Sequence, residues 1–143
     1  MSVLITGGRG QLGSDLTALL GDTAVPLAHA DLDITDAAAI ESAFAEHEPA
    51  TVINCAAFHV VDAMEGEEEK AYEVNVSAVR ALAKASAARG AKFVHFSSNY
   101  VFEGDRLEPY GEDDLPAPRS VYAISKLAGE HAALAYAPGA IVI

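Results

Sequence analysis

A tyrosine and a lysine lie four residues apart in the segment Val121-Tyr122-Ala123-Ile124-Ser125-Lys126. On a helix this spacing places Tyr122 and Lys126 on one face, one turn apart. An ammonium group beside a phenol stabilises the phenolate, so a tyrosine can transfer a proton at neutral pH. The pair therefore predicts acid–base chemistry at the start of the last helix, with Tyr122 as proton donor. Such pairs are also common on surface helices, so the functional interpretation depends on a cofactor site elsewhere in the chain.

A hydroxyl group is predicted close to this pair. Ser98 belongs to Ser97-Ser98-Asn99-Tyr100, which closes a predicted strand at 92–97. Open parallel sheets bind ligands at the carboxyl ends of their strands. Ser98 there would donate a hydrogen bond to a substrate carbonyl oxygen, with Asn99 beside it in the substrate site. The alternative is that these polar residues only form a turn.

A glycine-rich turn, Gly7-Gly8-Arg9-Gly10-Gln11-Leu12-Gly13, directly follows the first predicted strand and opens a helix at about 11–20. The glycines fit two registers of the motif. Gly8, Gly10 and Gly13 have the spacing G-x-G-x-x-G, whereas Gly7, Gly10 and Gly13 have the spacing G-x-x-G-x-x-G. Glycine allows a sharp turn and a close approach of pyrophosphate, and the amides at the helix start face the anion. The context predicts a dinucleotide site.

The choice between NADH and NADPH depends on the end of the second strand, where an acid usually holds the ribose 2′-hydroxyl of NAD. Here Ala28-His29-Ala30 occupy that place, and the acids follow as Asp31 and Asp33. Arg9 and His29 could instead receive a 2′-phosphate. The sequence favours NADPH and leaves NADH open.

Asn75 is a polar residue on an otherwise apolar helical stripe that runs from Tyr72 to Ser86. Buried amides need hydrogen-bond partners. Two interpretations stay open: a satisfied core amide, or a group that steadies the backbone of the active site.

Short apolar runs alternate with stretches of helical period, which predicts an α/β fold, a Rossmann-like doubly wound parallel sheet with helices on both faces. Asp36 is the predicted N-cap of the second helix, which stops before Pro49, and Gly90 follows the third helix. The acidic run 65–69 is typical of a helix start, and 103–120 reads as a long loop. The predicted strands are 2–6, 23–28, 51–55, 92–97 and 140–143.

The composition excludes several classes of protein. The chain has 143 residues, 51% hydrophobic and 21% charged, which predicts one folded domain over 1–143. Its net charge of −12 disfavours nucleic acid and anionic membranes as partners. No apolar run approaches a membrane span, and the expected location is the cytoplasm. The single Cys55 is expected to be a small buried residue, and the five histidines show no zinc-ligand spacing.

With these motifs assembled, the chain resembles the extended short-chain dehydrogenase/reductase superfamily and, within it, the dTDP-4-dehydrorhamnose reductase family. The resemblance runs through segments of the whole chain. These are the turn ending Gly10-Gln11-Leu12-Gly13, the stretches 32–36 and 52–58, Val61-Asp62 followed by Glu65, and the stretches 97–104 and 121–130.

The resemblance implies that NAD(P)H gives a hydride to the C4 keto group of a dTDP-linked deoxysugar while Tyr122 protonates the oxygen. Lys126 would hold the nicotinamide ribose and favour the ionised tyrosine, Ser98 would bind the reacting oxygen, and Asn75 would join the cofactor site. Mg²⁺ and a homodimer enter as implications of the resemblance alone. The implied cofactor residues are Gly7, Arg9, Gly10, Gln11, Leu12 and Gly13 at the pyrophosphate, Asp33 and Ile34 at the adenine, Ala56 and Ala57 at the middle, and Tyr122 together with Lys126.

Three departures from the family pattern leave alternatives open. Asn99 stands where the family usually has Asp, and His59 and Ala63 replace a common threonine and lysine. Members of the family also continue for roughly as long again beyond the position of Ile143. The chain is therefore expected to correspond to the N-terminal half of such a protein, without the substrate-binding part. The alternatives are a non-catalytic NADP-binding subunit, similar to the regulatory subunit of methionine adenosyltransferase, and a nucleotide-sugar epimerase or dehydratase.

Overall fold

The computed structural model describes residues 1–59 and 66–143. Within them, five parallel strands form one sheet in the order β2-β1-β3-β4-β5. Each observed strand lies inside a predicted one, so the predicted parallel sheet is confirmed. The strands are β1 Val3–Thr6, β2 Ala24–Leu27, β3 Thr51–Asn54, β4 Lys92–His95 and β5 Ile141–Val142.

Helices cover both faces of the sheet, as predicted. Right-handed crossovers place helices on opposite faces when the chain moves in opposite directions along a sheet. The step from β1 to β2 runs one way and the three later steps run the other way. Accordingly α1 packs on β1 and β2, whereas α2, α4 and α5 form the layer on the other face, α4 in contact with both neighbours. The helices are α1 Gln11–Leu20, α2 Ala37–His47, α3 Glu68–Tyr72, α4 Val79–Ala88 and α5 Val121–Tyr136.

The main core lies between the sheet and the layer of α2 and α4. Leu4, Val52 and Phe93 face one another across β1, β3 and β4, and each is at most 1% exposed. Phe44 of α2 and Leu82 of α4 pack against them. Burying such side chains stabilises the fold by about 1.5–3 kcal/mol each.

Local signals set the ends of α2 as the sequence predicts. The Asp36 carboxylate accepts hydrogen bonds from the amides of Ala38 and Ala39 at 2.8 and 3.3 Å, which confirms it as the N-cap. Glu48 has a left-handed backbone with φ of 41°, and Pro49 follows it.

Helix α3 begins at Glu68, so the acidic run does mark a helix start. Glu65 lies outside the described residues. The six residues Glu73–Ala78 between α3 and α4 form a π-helical turn that the sequence does not predict. Such turns are frequent at functional sites.

The predicted long loop contains no helix or strand within 103–120. Its conformation is held by the ion pair of Arg106 with Asp114 and by stacking of Phe102 on Tyr110, with ring centroids 4.6 Å apart. In the part of the chain that the structure describes, no helix is both long and apolar enough to cross a membrane.

Replacing Gly129 by Ala should destabilise the protein, because a Cβ there would lie 2.4 Å from the Asn75 carbonyl oxygen. We expect a loss of about 1–3 kcal/mol from overpacking, larger than the about 1 kcal/mol that Ala gains over Gly in a helix. The measurement is urea unfolding. Gly111→Ala is the control, since its nearest heavy atom would be 3.8 Å from the new Cβ; equal stability of both variants would contradict the packing argument.

Candidate active site

The glycine turn sits where the sheet order reverses, between β1 and β3. Gly7 has a φ of 67°, and a Cβ on it would lie 2.9 Å from the Ala56 amide nitrogen. Gly10 donates its amide to the Gly7 carbonyl at 2.9 Å, and a Cβ on Gly13 would lie 2.4 Å from that oxygen. Only glycine fits this fold of the backbone, which brings β1, α1 and the end of β3 together.

The structure separates the two registers that the sequence leaves open. Gly7 and Gly10 line a cavity at the carboxyl edge of the sheet. Gly8 faces away from it, because a Cβ there would lie 2.6 Å from the Pro26 side chain of β2. The cavity-facing register is therefore Gly7, Gly10 and Gly13, and Gly8 serves the contact between β1 and β2.

The start of α1 is free to bind an anion. Gly10 is the N-cap, no acid lies in the first turn, and among residues 1–59 and 66–143 no side chain bonds the first amides. The first amides of a helix otherwise lack partners and carry the positive end of the helix dipole. These amides stand beside the cavity and favour a phosphate group. The glycine cradle and the uncapped amides together fit the pyrophosphate of a dinucleotide.

The cavity has a volume of about 1180 Å³ and runs from the glycine turn to the start of α3. Six predicted cofactor residues line it: Gly7, Gly10, Asp33, Ile34, Ala56 and Ala57. Arg9, Gln11 and Leu12 are exposed at the start of α1, outside its lining, and Gly13 is buried in the helix.

Two acids follow β2, and both are engaged by their own turns. Asp31 accepts the Ala28 amide at 2.9 Å and does not line the cavity. Asp33 accepts both the amide and the hydroxyl of Thr35, and these bonds, the amide first, hold the pKa of the Asp33 carboxyl below its usual range. His29 lines the cavity at the same end. The acid nearest the strand end therefore turns back towards the strand.

Tyr122 and Lys126 lie in the first turns of α5, which Ser120 caps by accepting the Ala123 amide at 3.2 Å. The Tyr122 ring meets Tyr100 edge to face, with centroids 5.8 Å apart. Lys126 is only 3% exposed, and its Nζ donates to the Phe96 carbonyl oxygen at 2.5 Å. Helix α5 therefore holds its tyrosine and lysine against the residues that follow β4.

Ser98 lies two residues beyond that carbonyl. Its Oγ accepts the Tyr100 amide at 3.2 Å and so caps the short 3₁₀ turn Asn99–Val101. The turn-forming interpretation is thus correct, and it leaves the hydroxyl hydrogen free of that bond to donate to a ligand. Asn99 is exposed at the start of the turn.

Asn75 connects the cofactor side of the cavity to the helix of the tyrosine. Its side chain accepts the Phe58 amide and donates to the Phe58 carbonyl, both at 2.9 Å. It also donates to the Ser125 hydroxyl at 3.0 Å, which in turn donates to the Tyr122 carbonyl at 2.8 Å. Asn75 is 1% exposed and stands behind the cavity wall, so its polar groups bond to backbone and to α5.

A row of buried polar side chains crosses the sheet below the site. Thr6 donates to the Asn54 side-chain oxygen at 2.6 Å, and the Asn54 amide lies 3.0 Å from His95 Nδ1. Because Nδ1 accepts this bond, the ring proton is assigned to Nε2, which is buried and has no partner among the described residues. Burial, with the Lys126 charge second, lowers the pKa of His95 to about 3, so the ring is neutral.

The comparisons with known proteins decide the family. The family model described as RmlD substrate binding domain matches residues 1–143. The chain belongs to this family. A dTDP-4-dehydrorhamnose reductase from Streptomyces griseus is 47% identical over 138 residues, which cover 94% of this chain and 45% of the relative.

Solved structures named for the same activity have the same fold as this RmlD-family chain. A dTDP-4-dehydrorhamnose reductase from Clostridium acetobutylicum superposes with a TM-score of 0.95 at 39% identity, covering 99% of this chain and 52% of that one. One from Bacillus anthracis, in complex with NADP, gives 0.94 at 38% identity with the same coverage. The chain spans about half the length of the relatives that it matches.

Several lining residues of the RmlD-family site were not predicted from sequence. The acidic run predicts a helix start, yet Glu67, Glu68 and Glu69 also line the cavity. Phe58 lines it too, held by Asn75 and by the Lys70 ammonium 4.7 Å from its ring centroid. The position of Phe58 just after β3 could have predicted this, because ligands bind at the carboxyl ends of parallel strands. The remaining unpredicted lining residues include Leu32, Thr35, Cys55, Gly66, Glu73 and Val74.

The single cysteine, Cys55, lies beside the cavity. Cys55 is half-buried at the cavity wall, and burial raises the pKa of its thiol to about 11, which keeps it a poor nucleophile. Over residues 1–59 and 66–143, no group of three or more His, Cys, Asp or Glu side chains could hold a metal ion. Val61, Asp62 and Ala63 lie outside the described residues.

The buried His95 makes stability depend on pH. Its folded pKa of about 3 lies below its ordinary value of 6.5, so the unfolded chain binds more protons between these pH values, and stability is lost as pH falls through them. From pH 6.5 to 4.5 the loss should be about 2–3 kcal/mol. Urea unfolding of wild type and of His95→Gln should show this part of the slope only in wild type. Parallel pH profiles of the two proteins would contradict the assignment.

Proposed function

We propose that this chain is the cofactor-binding half of an NAD(P)H-dependent reductase that reduces the C4 keto group of a dTDP-linked deoxysugar. The observation that carries the proposal is the contact of Lys126 with the Phe96 carbonyl. This contact joins the start of α5, which carries the tyrosine and the lysine, to the backbone just before Ser98, at the sheet edge that also carries the glycine cradle. Membership of the RmlD family supports the same reaction.

The glycine turn and the start of α1 would hold the pyrophosphate of the cofactor through backbone amides. Asp33 and Ile34 would contact the adenine, and Ala56 and Ala57 the middle of the molecule. When bound, the nicotinamide supplies a hydride to the carbonyl carbon. This leaves the polypeptide to bind the oxygen and to deliver one proton to it.

Tyr122 would deliver that proton, because its hydroxyl is the acidic group on the face of α5 that carries Lys126. Ser98 would donate a hydrogen bond to the same oxygen and favour the charge that develops there. The Lys126 ammonium would stabilise the tyrosinate left behind. Each group thus acts at one stage of a carbonyl reduction, which supports a catalytic role over a binding subunit.

NADPH is the proposed preferred cofactor. Arg9 is exposed in the glycine turn and has no hydrogen bond or ion pair within residues 1–59 and 66–143, so its guanidinium is available to a 2′-phosphate. The Asp31 carboxylate, which would repel that group, is directed to the Ala28 amide. Mg²⁺ binding, a homodimer and a cytoplasmic location stay predictions of the sequence.

Removing the Arg9 guanidinium should weaken NADPH binding about tenfold, the usual effect of one charge-assisted hydrogen bond to phosphate. NADH binding should change little, because NADH lacks the 2′-phosphate. The measurement is calorimetric titration of the complete gene product with each cofactor, using Arg9→Gln. Arg80→Gln removes the same charge from α4 and is the control. Equal weakening for both cofactors would place Arg9 at the pyrophosphate instead.

Tyr122→Phe should lower the rate of NADPH oxidation with a dTDP-4-keto-6-deoxysugar by about 100-fold or more, the usual contribution of a general acid. Cofactor affinity should stay within about twofold, since the substitution removes the Tyr122 hydroxyl and leaves the cradle unchanged. Loss of NADPH absorbance in the complete gene product measures the rate. Tyr136→Phe, in the last turn of the same helix, is the matched control. Undiminished turnover in Tyr122→Phe would refute the assigned proton donor.

A further inference from the structure

Helix α5 forms hydrogen bonds with the two consecutive residues that follow β4. Lys126 Nζ donates to the Phe96 carbonyl at 2.5 Å, and the Ser97 hydroxyl donates to the carboxylate of Glu130. Lys126 and Glu130 are four residues apart, so they share one face of the helix. Two side chains of opposite charge therefore fix the backbone immediately before Ser98.

We propose that Glu130 is a positioning residue of this site, which holds Ser97 in place so that Ser98 faces Tyr122 and Lys126, and which keeps Lys126 in its ammonium form. Glu130 takes its catalytic meaning from the proposed reductase function. Its structural part rests on the hydrogen bond to Ser97, and its electrostatic part on the environment of Lys126.

The positional part follows from how Ser97 is bonded. Its amide donates to the Ile143 carbonyl at 2.7 Å, so β5 holds the backbone on one side while Glu130 holds the side chain on the other. Ser98 comes next, and its Oγ is already fixed to the Tyr100 amide. With Ser97 released, the Lys126–Phe96 bond would be the remaining described hydrogen bond that ties α5 to this stretch. Ser98 would then be held less firmly beside the backbone that Lys126 bonds.

The electrostatic part follows from the burial of Lys126. A buried ammonium is costly unless an opposite charge lies near it. The titratable groups around it are Cys55 at the end of β3, His95 in β4, and Tyr122 and Glu130 on α5 itself. The Cys55 thiol and the His95 ring are uncharged at neutral pH. The Glu130 carboxylate is thus the formal negative charge in the described surroundings of Lys126.

The pKa of Lys126 reflects this balance. Burial lowers it to about 8, and the Glu130 carboxylate, followed by Cys55, opposes that fall. Removing the Glu130 charge should lower the pKa further. Lys126 would then lose its ammonium form at a lower pH, and the tyrosine would lose the charge that favours its ionised form.

Two variants separate charge from position. Glu130→Gln keeps the size of the side chain and an oxygen that Ser97 can bond, but removes the charge. Ser97→Ala keeps the charge and removes the hydrogen bond. Glu112→Gln, an exposed acid in the loop before α5, is the control for a change in net charge. All are made in the complete gene product, and thermal unfolding reports whether each folds.

The first measurement is the pH titration of lysine side chains by NMR after ¹³C labelling at Cε, with the Lys126 signal assigned by its loss in Lys126→Arg. In Glu130→Gln the Lys126 pKa should fall by about one unit or more. In Ser97→Ala and Glu112→Gln it should move by less than about half a unit. An unchanged Lys126 pKa in folded Glu130→Gln would overturn the electrostatic part.

The second measurement is the pH profile of kcat for NADPH oxidation. Glu130→Gln should shift the alkaline limb to lower pH by the same amount as the Lys126 pKa. Ser97→Ala should lower kcat about tenfold or more without moving that limb, because one group is misplaced. Wild-type kcat in Ser97→Ala would overturn the positional part. A fallen Lys126 pKa in a protein whose wild type oxidises no NADPH would support the electrostatic inference and count against the proposed function.

Discussion

The buried ammonium of Lys126 is the interaction on which the rest of the site depends. A charge that is 3% exposed needs a strong acceptor, and the Phe96 carbonyl supplies it; the role proposed for Glu130 is to add the opposite charge. Both partners require α5 to lie directly against the end of β4. That position in turn puts Tyr122 one turn away from the same backbone. The geometry of the proposed proton transfer therefore depends on how this one lysine is buried against the residues that follow β4.

Close packing of α5 makes this position possible. Gly129 allows the helix to approach the Asn75 carbonyl, where any larger residue would clash. The π-helical turn Glu73–Ala78 carries Asn75, whose side chain then bonds both Ser125 of α5 and the Phe58 backbone of the cavity wall. One amide thus ties the cavity wall to the tyrosine helix through hydrogen bonds.

The glycine cradle proposed to hold the cofactor follows a different physical rule, because it is built almost entirely from backbone. Gly7 lies against the Ala56 amide at the point where the sheet order reverses, and the uncapped start of α1 supplies the donors. The side chains proposed to act at its edges are those of Arg9, His29 and Asp33. Changes there are expected to adjust cofactor preference without disturbing the cradle itself.

Structural features whose causes lie in short stretches of the chain could be predicted from the sequence. Each depends on residues close together in the sequence. They are the glycine turn, the Asp36 cap, the five strands and the helical spacing of Tyr122 and Lys126. Tertiary structure alone decided the partners of the buried polar groups. The Ser97–Glu130, Asn54–His95 and Asn75–Ser125 bonds join residues 33, 41 and 50 positions apart. No local pattern encodes such pairs, because a buried donor takes whichever acceptor the packed helices and strands bring within reach. The same reason explains why the acidic run predicted a helix start but not a cavity wall.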